Sequence, residues 1–213
     1  MSDIRPPLVR GADGAKRCAW AASNPEYVAY HDHEWGRPVV DDQRIFEKLC
    51  LEAFQSGLSW LTILRKRPAF RRAFADFDIA RVGAFGARDV KRLLGDAGIV
   101  RNRAKIEATI ANARGASVVQ ASHGSLAALL WSFEPTGRRR APRAFGDVPA
   151  TTAESLALSK ALRASGFRFL GPTTCYAAMQ ALGVVNDHFA GCVVRAEAEA
   201  ERKSLRSGRA AIR

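Results

Sequence analysis

The sequence predicts an all-α fold, and three observations carry that reading. Apolar residues recur every three or four positions through most of the chain, caps and glycines interrupt those runs at helix-length intervals, and no stretch alternates apolar with polar residues as a half-buried strand would. Residues 1 to about 16 hold Pro6, Pro7, Gly11 and Gly14 with little periodicity and read as a loose leader. Asn24, Pro25 and Glu26 combine a cap, a first-turn proline and a first-turn acid, and start a short helix on which Tyr27, Tyr30 and His31 occupy adjoining surface. Asp41 or Asp42 caps the next helix, whose stripe is Ile45, Phe46, Leu49, Cys50, Ala53 and Phe54, with Glu52 at the edge of it. Gly57 breaks that helix, Leu58 to Leu64 begins another, and Pro68 is positioned to open one more.

Segments 78–84, 88–94, 102–114 and 125–132 read as further helices, punctuated by Gly86 and by the turn from Gly95 to Gly98. Thr151 with Glu154 three residues on reads as a capping box, for a helix ending near Gly166; a last helix from Thr173 to Leu182 stops at Gly183. From about residue 196 alanines alternate with glutamates and the chain then turns basic, with no apolar stripe, so 194–213 is expected to be a flexible tail. Residues 17–193 are left as one domain, or as two small helical lobes around a cleft.

With 213 residues, 47% of them hydrophobic, the chain can bury a sizeable core without staples, which favours free thiols over disulfides for Cys18, Cys50, Cys175 and Cys192. Its 33 basic against 21 acidic residues, a formal charge of +12, favour polyanionic partners or simple solubility, without choosing among DNA, RNA and an acidic membrane. The basic runs fall on separate segments, Arg65 to Arg72, Arg88 to Arg92, Arg101 to Lys105 and Arg138 to Arg140, which raises the case for a polyanion groove. No apolar stretch reaches 18 residues and no basic segment leads into an apolar one at the start, so a cytoplasmic protein with no membrane partner is expected.

Two groupings carry chemistry. Leu93 and Leu94, the turn Gly95-Asp96-Ala97-Gly98-Ile99, and a new helix led by Arg101, Arg103 and Lys105 form two helices joined by a glycine turn. Free amides at the second helix's start can hold a DNA phosphate, and the same pattern also serves as a plain packing corner. His188 and Cys192 have the spacing of a metal-ligand pair on one helical turn, and Cys18 with His31 supplies a second; ordinary buried thiols and hydrogen-bonded histidines remain open on spacing alone. His33 and His123 are the spare histidines.

The ordered set Arg17-Cys18-Ala19-Trp20, Tyr27 through Gly36, Glu52 through Trp60, Gly98 through Ile106, Trp131-Ser132-Phe133, Thr173 through Tyr176, and Asn186-Asp187-His188 with Cys192 resembles the 3-methyladenine DNA glycosylase I family over about residues 17 to 193. The resemblance implies a helix-hairpin-helix DNA glycosylase fold stabilised by one structural zinc ion on Cys18, His31, His188 and Cys192. It maps the lesion pocket onto Tyr27, Tyr30, Glu52 and Trp60, and DNA binding onto the hairpin with Gly98, Arg101, Arg103 and Lys105. The implied partner is double-stranded DNA containing alkylated bases, met by a monomer. Ala53 and Ser56 stand where glycine and alanine are usual.

On this reading Trp60 offers a face to a flipped base, Tyr27 and Tyr30 add contacts and hydroxyls, and Glu52 accepts hydrogen bonds from the adenine edge, chiefly to recognise the base and secondarily to support its departure. A helix-edge ion pair with a neighbouring arginine is the alternative for Glu52. No aspartate lies in 120–133, and no lysine can be singled out as a Schiff-base nucleophile, so a monofunctional enzyme leaving an abasic site is expected. Asp187 is expected to be a turn residue or to orient His188. A zinc-stabilised DNA-binding module without chemistry is the rival, favoured if no base-sized cavity lies between Trp60 and Glu52. An RNA or nucleotide hydrolase ranks lower, for want of a metal-binding carboxylate cluster.

Overall fold

The structure, a computed structural model, describes residues 6–137 and 139–210, so the first five residues of the expected leader and Arg138 of the last basic run lie outside the described residues. It is an all-α fold with one addition: strands β1 (Leu8–Arg10) and β2 (Lys16–Cys18) pair antiparallel, Leu8 opposite Cys18. The described part of the leader is therefore a short hairpin, too short for alternation to be visible in the sequence.

Helix α1 (Pro25–His33) begins at Asn24, whose side chain accepts from the Glu26 amide. Helix α2 (Asp42–Gln55) is capped by Asp41, accepting from the Arg44 amide, while the Asp42 carboxylate takes the Ala127 amide and the Gln120 side chain. From Ile45 to Phe54 every residue of α2 except Lys48 is buried, because α3 (Trp60–Ala73), α6 (Arg103–His123), α7 (Leu126–Ser132) and α9 (Pro172–Ala181) surround it. Glu52 thus has no solvent-facing edge to occupy. Pro68 does not open a helix; α3 runs through it, with Ile63 and Leu64 before it and Phe70 and Ala73 after it buried. The proline lacks a donor for its turn, and burial on both sides holds the helix across the gap.

After α4 (Ile79–Gly83) come α5 (Ala87–Gly95) and α6, joined by the expected glycine turn. Gly98 is required there by contact: a Cβ would lie 2.9 Å from the Ala69 Cβ on α3. Helix α6 continues well past residue 114, because Gly115 is where it meets the Ser165 carbonyl, 2.7 Å from where a Cβ would stand. The close approach, not a helix end, explains that glycine. The box on α8 (Ala153–Ala164) is set one residue later than expected, with Thr152 and Ser155 exchanging side-chain and amide bonds.

The expected flexible tail is a docked helix, α10 (Arg195–Ala210). It buries Ala198 and Arg202, and Arg202 donates to the carbonyls of Gly183 and Val184, both at 2.7 Å, and pairs with Glu134. Arg37 reaches across to Glu197 and Glu201. An anchor of guanidinium bonds leaves no apolar period to read.

Candidate functional site

Helix α1 separates two buried clusters of different character. On one side lie Cys18 at the end of β2, His31 on α1, and His188 and Cys192 in the loop before α10, all four buried, with ligand atoms within 4.8 Å of one another. The His31 Nε2 stands 3.2 Å from the His188 Nδ1, and the Cys192 Sγ lies 3.4 and 3.6 Å from these two nitrogens. The Cys18 Sγ is 3.8 Å from the His188 Nδ1. The outer ring nitrogens are held by acceptors: His31 Nδ1 donates to Asp32 at 2.8 Å, and His188 Nε2 to the Trp35 carbonyl at 3.1 Å. That assigns the tautomers and turns the inner nitrogens' lone pairs toward the thiols. Arg17 in turn holds Asp32. The cluster can hold a metal ion, with all four donors from protein.

On the other side a cavity of about 260 Å³ is lined by Trp20, Tyr30, Trp35, Glu52 and Trp60, and by Phe145, Gln180 and Asp187 from the C-terminal half. This is slightly below the roughly 300 Å³ at which ordinary small-ligand pockets begin. Trp20 and Trp35 belong to both clusters: their rings lie 5.1 Å apart, and Trp35 stacks on His31 and meets His188 edge-on. Metal-site order thereby reaches the pocket wall.

Glu52 is 6% exposed, and among the described residues no donor hydrogen-bonds its carboxylate; the nearest cation is the Lys48 ammonium at 3.9 Å. Burial pushes the Glu52 carboxyl above its ordinary range, against the pull of Lys48. Burial pushes Lys48 down to about 8, resisted first by Glu52. Lys48 donates to the Tyr30 hydroxyl at 2.7 Å and lies 4.1 Å over the Trp60 ring. Burial, then Glu52 and Glu34, push the Tyr30 phenol up. Among the described residues the buried Trp60 indole N–H has no partner. An aromatic slot with a carboxylate that accepts no hydrogen bond suits a planar ligand that presents donors along one edge.

The family described as methyladenine glycosylase matches residues 20–196. The chain belongs to that family. It is 45% identical over 180 residues to DNA-3-methyladenine glycosylase 1 of Escherichia coli K12, covering 83% of this chain and 95% of that one. A DNA-3-methyladenine glycosylase of Haemophilus influenzae is 41% identical, covering 83% of this chain and 96% of that protein. Among solved structures, 3-methyladenine DNA glycosylase I of Staphylococcus aureus superposes with a TM-score of 0.80 at 36% identity, covering 84% of this chain and 96% of that one. A variant of 3-methyladenine DNA glycosylase I in complex with 3-methyladenine gives a TM-score of 0.80 at 35% identity, covering 84% and 97%.

Within this family fold, the structure brings Tyr30, Glu52 and Trp60 to one cavity and Cys18, His31, His188 and Cys192 to one cluster. It does not bring Tyr27 to the cavity wall: the Tyr27 hydroxyl accepts from the Leu61 amide at 2.9 Å, in the first turn of α3 beside Trp60. Lys105 is also reassigned. Its ammonium is buried and donates to the carbonyls of Phe54 and Ser56 at 2.8 and 2.6 Å, closing the C-terminal end of α2 rather than facing a phosphate. Arg101 and Arg103 are exposed at the hairpin, Arg103 beside Glu107. Two of the basic runs converge, Arg72 with Arg88, Lys91 and Arg92, in a groove next to the turn.

Asp187 does not orient His188. It accepts from the Tyr176 hydroxyl at 2.5 Å and from Gln180 at 3.0 Å, and faces Arg139. Asp32 has that role for His31, legible as the residue next to the ligand. Lys48, Trp20 and Trp35 were not singled out either, though Lys48 lies one turn before Glu52 and both tryptophans fall in the matching runs.

Proposed function

We propose that this chain hydrolyses the N-glycosidic bond of 3-methyladenine in alkylated double-stranded DNA, releasing the free base and leaving an abasic site without cutting the strand. The observation that carries it is the aromatic cavity with a buried carboxylate that no donor satisfies. A DNA-binding module without chemistry has no use for such a void, because a buried carboxylate that accepts no hydrogen bond is costly even with a cation nearby.

The lesion nucleotide leaves the stack and its base enters the slot. Trp60 and Tyr30 contact the base, whose positive charge favours aromatic faces, and Glu52 accepts from the adenine edge. Tyr27 acts one step back, by fixing the first turn of α3 and with it Trp60. Water then bonds to the sugar carbon as the bond to the base breaks. The bond's electron pair goes to the base and cancels its charge, and the water's proton goes to solvent. Departure needs no acid. Lys48 is not the Schiff-base nucleophile, since its ammonium lies behind Tyr30 and Trp60 and does not line the cavity.

Cys18, His31, His188 and Cys192 hold one structural zinc ion. Zinc bonds of about 2.0–2.3 Å place tetrahedral ligand atoms about 3.3–3.8 Å apart; four of the six separations here run from 3.2 to 3.8 Å, and all six lie within 4.8 Å. When bound, zinc supplies fold stability and no activated water, since four protein donors fill its coordination. Gly98 lets the hairpin backbone approach a phosphate, and Arg101 and Arg103 steer the duplex. The enzyme is read as a monomer; no described helix is long and apolar enough to cross a membrane, and the reading places the protein with its DNA in the cytoplasm.

Incubation with methylated DNA should release free 3-methyladenine and leave alkali-labile abasic sites in strands that are otherwise intact. Release of 7-methylguanine alone would overturn the specificity.

A further inference from the structure

Lys48 is the one residue of α2 between Ile45 and Phe54 that is not buried outright, yet only 12% of its side chain is exposed. A lysine so enclosed needs a reason, since its ammonium loses most of its hydration. Its surroundings are specific. The ammonium donates to the Tyr30 hydroxyl at 2.7 Å, rests 4.1 Å over the Trp60 ring and 4.7 Å over the Tyr30 ring, and stands 3.9 Å from the Glu52 carboxylate one helical turn on. It therefore touches, from behind, three residues that line the base cavity.

The other acids around it are already matched. Glu34, just past α1, is held by Arg67 of α3 at 2.5 and 2.7 Å, and Glu47 of α2 by Arg71 of α3 at 2.8 Å. Arg44 of α2 lines the cleft behind Lys48, and α9 presents there only Ala181, followed by Leu182. Asp187, across the cavity, has Tyr176, Gln180 and Arg139. That leaves Lys48 and Glu52 as each other's counter-charge.

We infer that Lys48 is a positioning residue of this pocket: its ammonium, pinned between the Tyr30 hydroxyl and the Trp60 face, keeps Glu52 an anion aimed at the flipped base. The inference rests on the reading of Glu52 as the base-reading carboxylate. Burial works against an anion at Glu52, and the ammonium opposes it. Without Lys48 the carboxyl holds its proton to higher pH and meets the adenine edge as a neutral acid, with one acceptor oxygen replaced by a donor.

The test is the pH dependence of single-turnover excision on 3-methyladenine DNA for the parent, Lys48→Met, Lys48→Gln and Lys48→Arg. Met removes the charge and Gln also keeps a donor for Tyr30, so one folded neutral variant suffices; melting temperature and metal content establish that. The acid limb of the neutral variants should move up by about one pH unit or more, a deficit of roughly tenfold on the acid side of the profile that closes as pH rises and Glu52 ionises unaided. Lys48→Arg should restore most of the limb. In the parent, the Glu52 carboxyl carbon followed by NMR should titrate at lower pH than in Lys48→Gln.

In a Glu52→Gln background the Lys48 change should lose its pH dependence. A deficit of constant size at every pH would overturn the inference and make Lys48 a packing residue. A borohydride-stable link between Lys48 and DNA would overturn it too, by making the lysine a nucleophile. If Glu52→Gln itself excises at the parent rate, it is the reading of Glu52 that fails; if that variant is impaired and the Lys48 profile stays flat, only the role of Lys48 fails.

Discussion

Two buried polar clusters share helix α1 and the tryptophan pair Trp20 and Trp35, and they are finished to different degrees. In the metal-ligating cluster, both histidines have an outer partner, in Asp32 and the Trp35 carbonyl, and the Cys18 sulfur takes the Phe189 amide. In the base cavity, the Trp60 N–H has no partner among the described residues and the Glu52 carboxylate has a cation nearby but no hydrogen bond. Unmet polar capacity inside a protein destabilises it unless something that comes and goes satisfies it. The closed cluster is therefore read as structure, and the open one as the place where a ligand completes the set.

The largest test of that contrast is Cys192→Ser. Losing a ligand from a closed site should cost several kcal/mol and lower the melting temperature by roughly 10 °C or more, with zinc falling well below one per chain. If zinc is lost while the melting temperature holds, the closed cluster is not a structural one. Glu52→Gln should do the reverse. Excision in a single turnover should drop by about tenfold or more, about 1.4 kcal/mol in the barrier, while zinc content and affinity for undamaged DNA stay at the parent's. An equal loss on undamaged DNA would remove the distinction between the two clusters.

The smallest expected effect sharpens the boundary of the site. Arg101→Gln should weaken damaged and undamaged DNA alike and lower the salt-dependence slope by about 0.9, one phosphate contact. Lys105→Gln should leave that slope alone and lower stability by about 1–3 kcal/mol, because two carbonyls at the end of α2 lose their charged donor. A salt slope that responds to Lys105 and not to Arg101 would reverse the reassignment.

Much of the fold is legible in the sequence. Caps, glycine turns and three-to-four-residue periods depend on neighbours within one turn, so α1, α2, the hairpin and α9 were readable from local sequence alone. The zinc quartet was open on spacing, and became specific through the ordered motifs of the family resemblance. The misses share a cause. Pro68, read locally as a helix start, lies inside α3, and the segment bounded at 114 runs on through Gly115 in α6, where packing against neighbouring elements goes with the longer helices.

The sequence by itself determined the all-α class, from caps and periods within single helices, and offered the four candidate metal ligands on spacing, while the family resemblance added the pairing of Glu52 with Trp60. Only the tertiary structure decided that Lys105 closes α2 instead of meeting DNA, that Tyr27 stands behind the pocket, that the tail docks through Arg202, and that Lys48 backs Glu52. Each of these is a choice of partner for a polar group. A lysine, tyrosine or arginine has a long reach and many acceptors of similar strength, so its sequence neighbours do not select among them; the packed fold does.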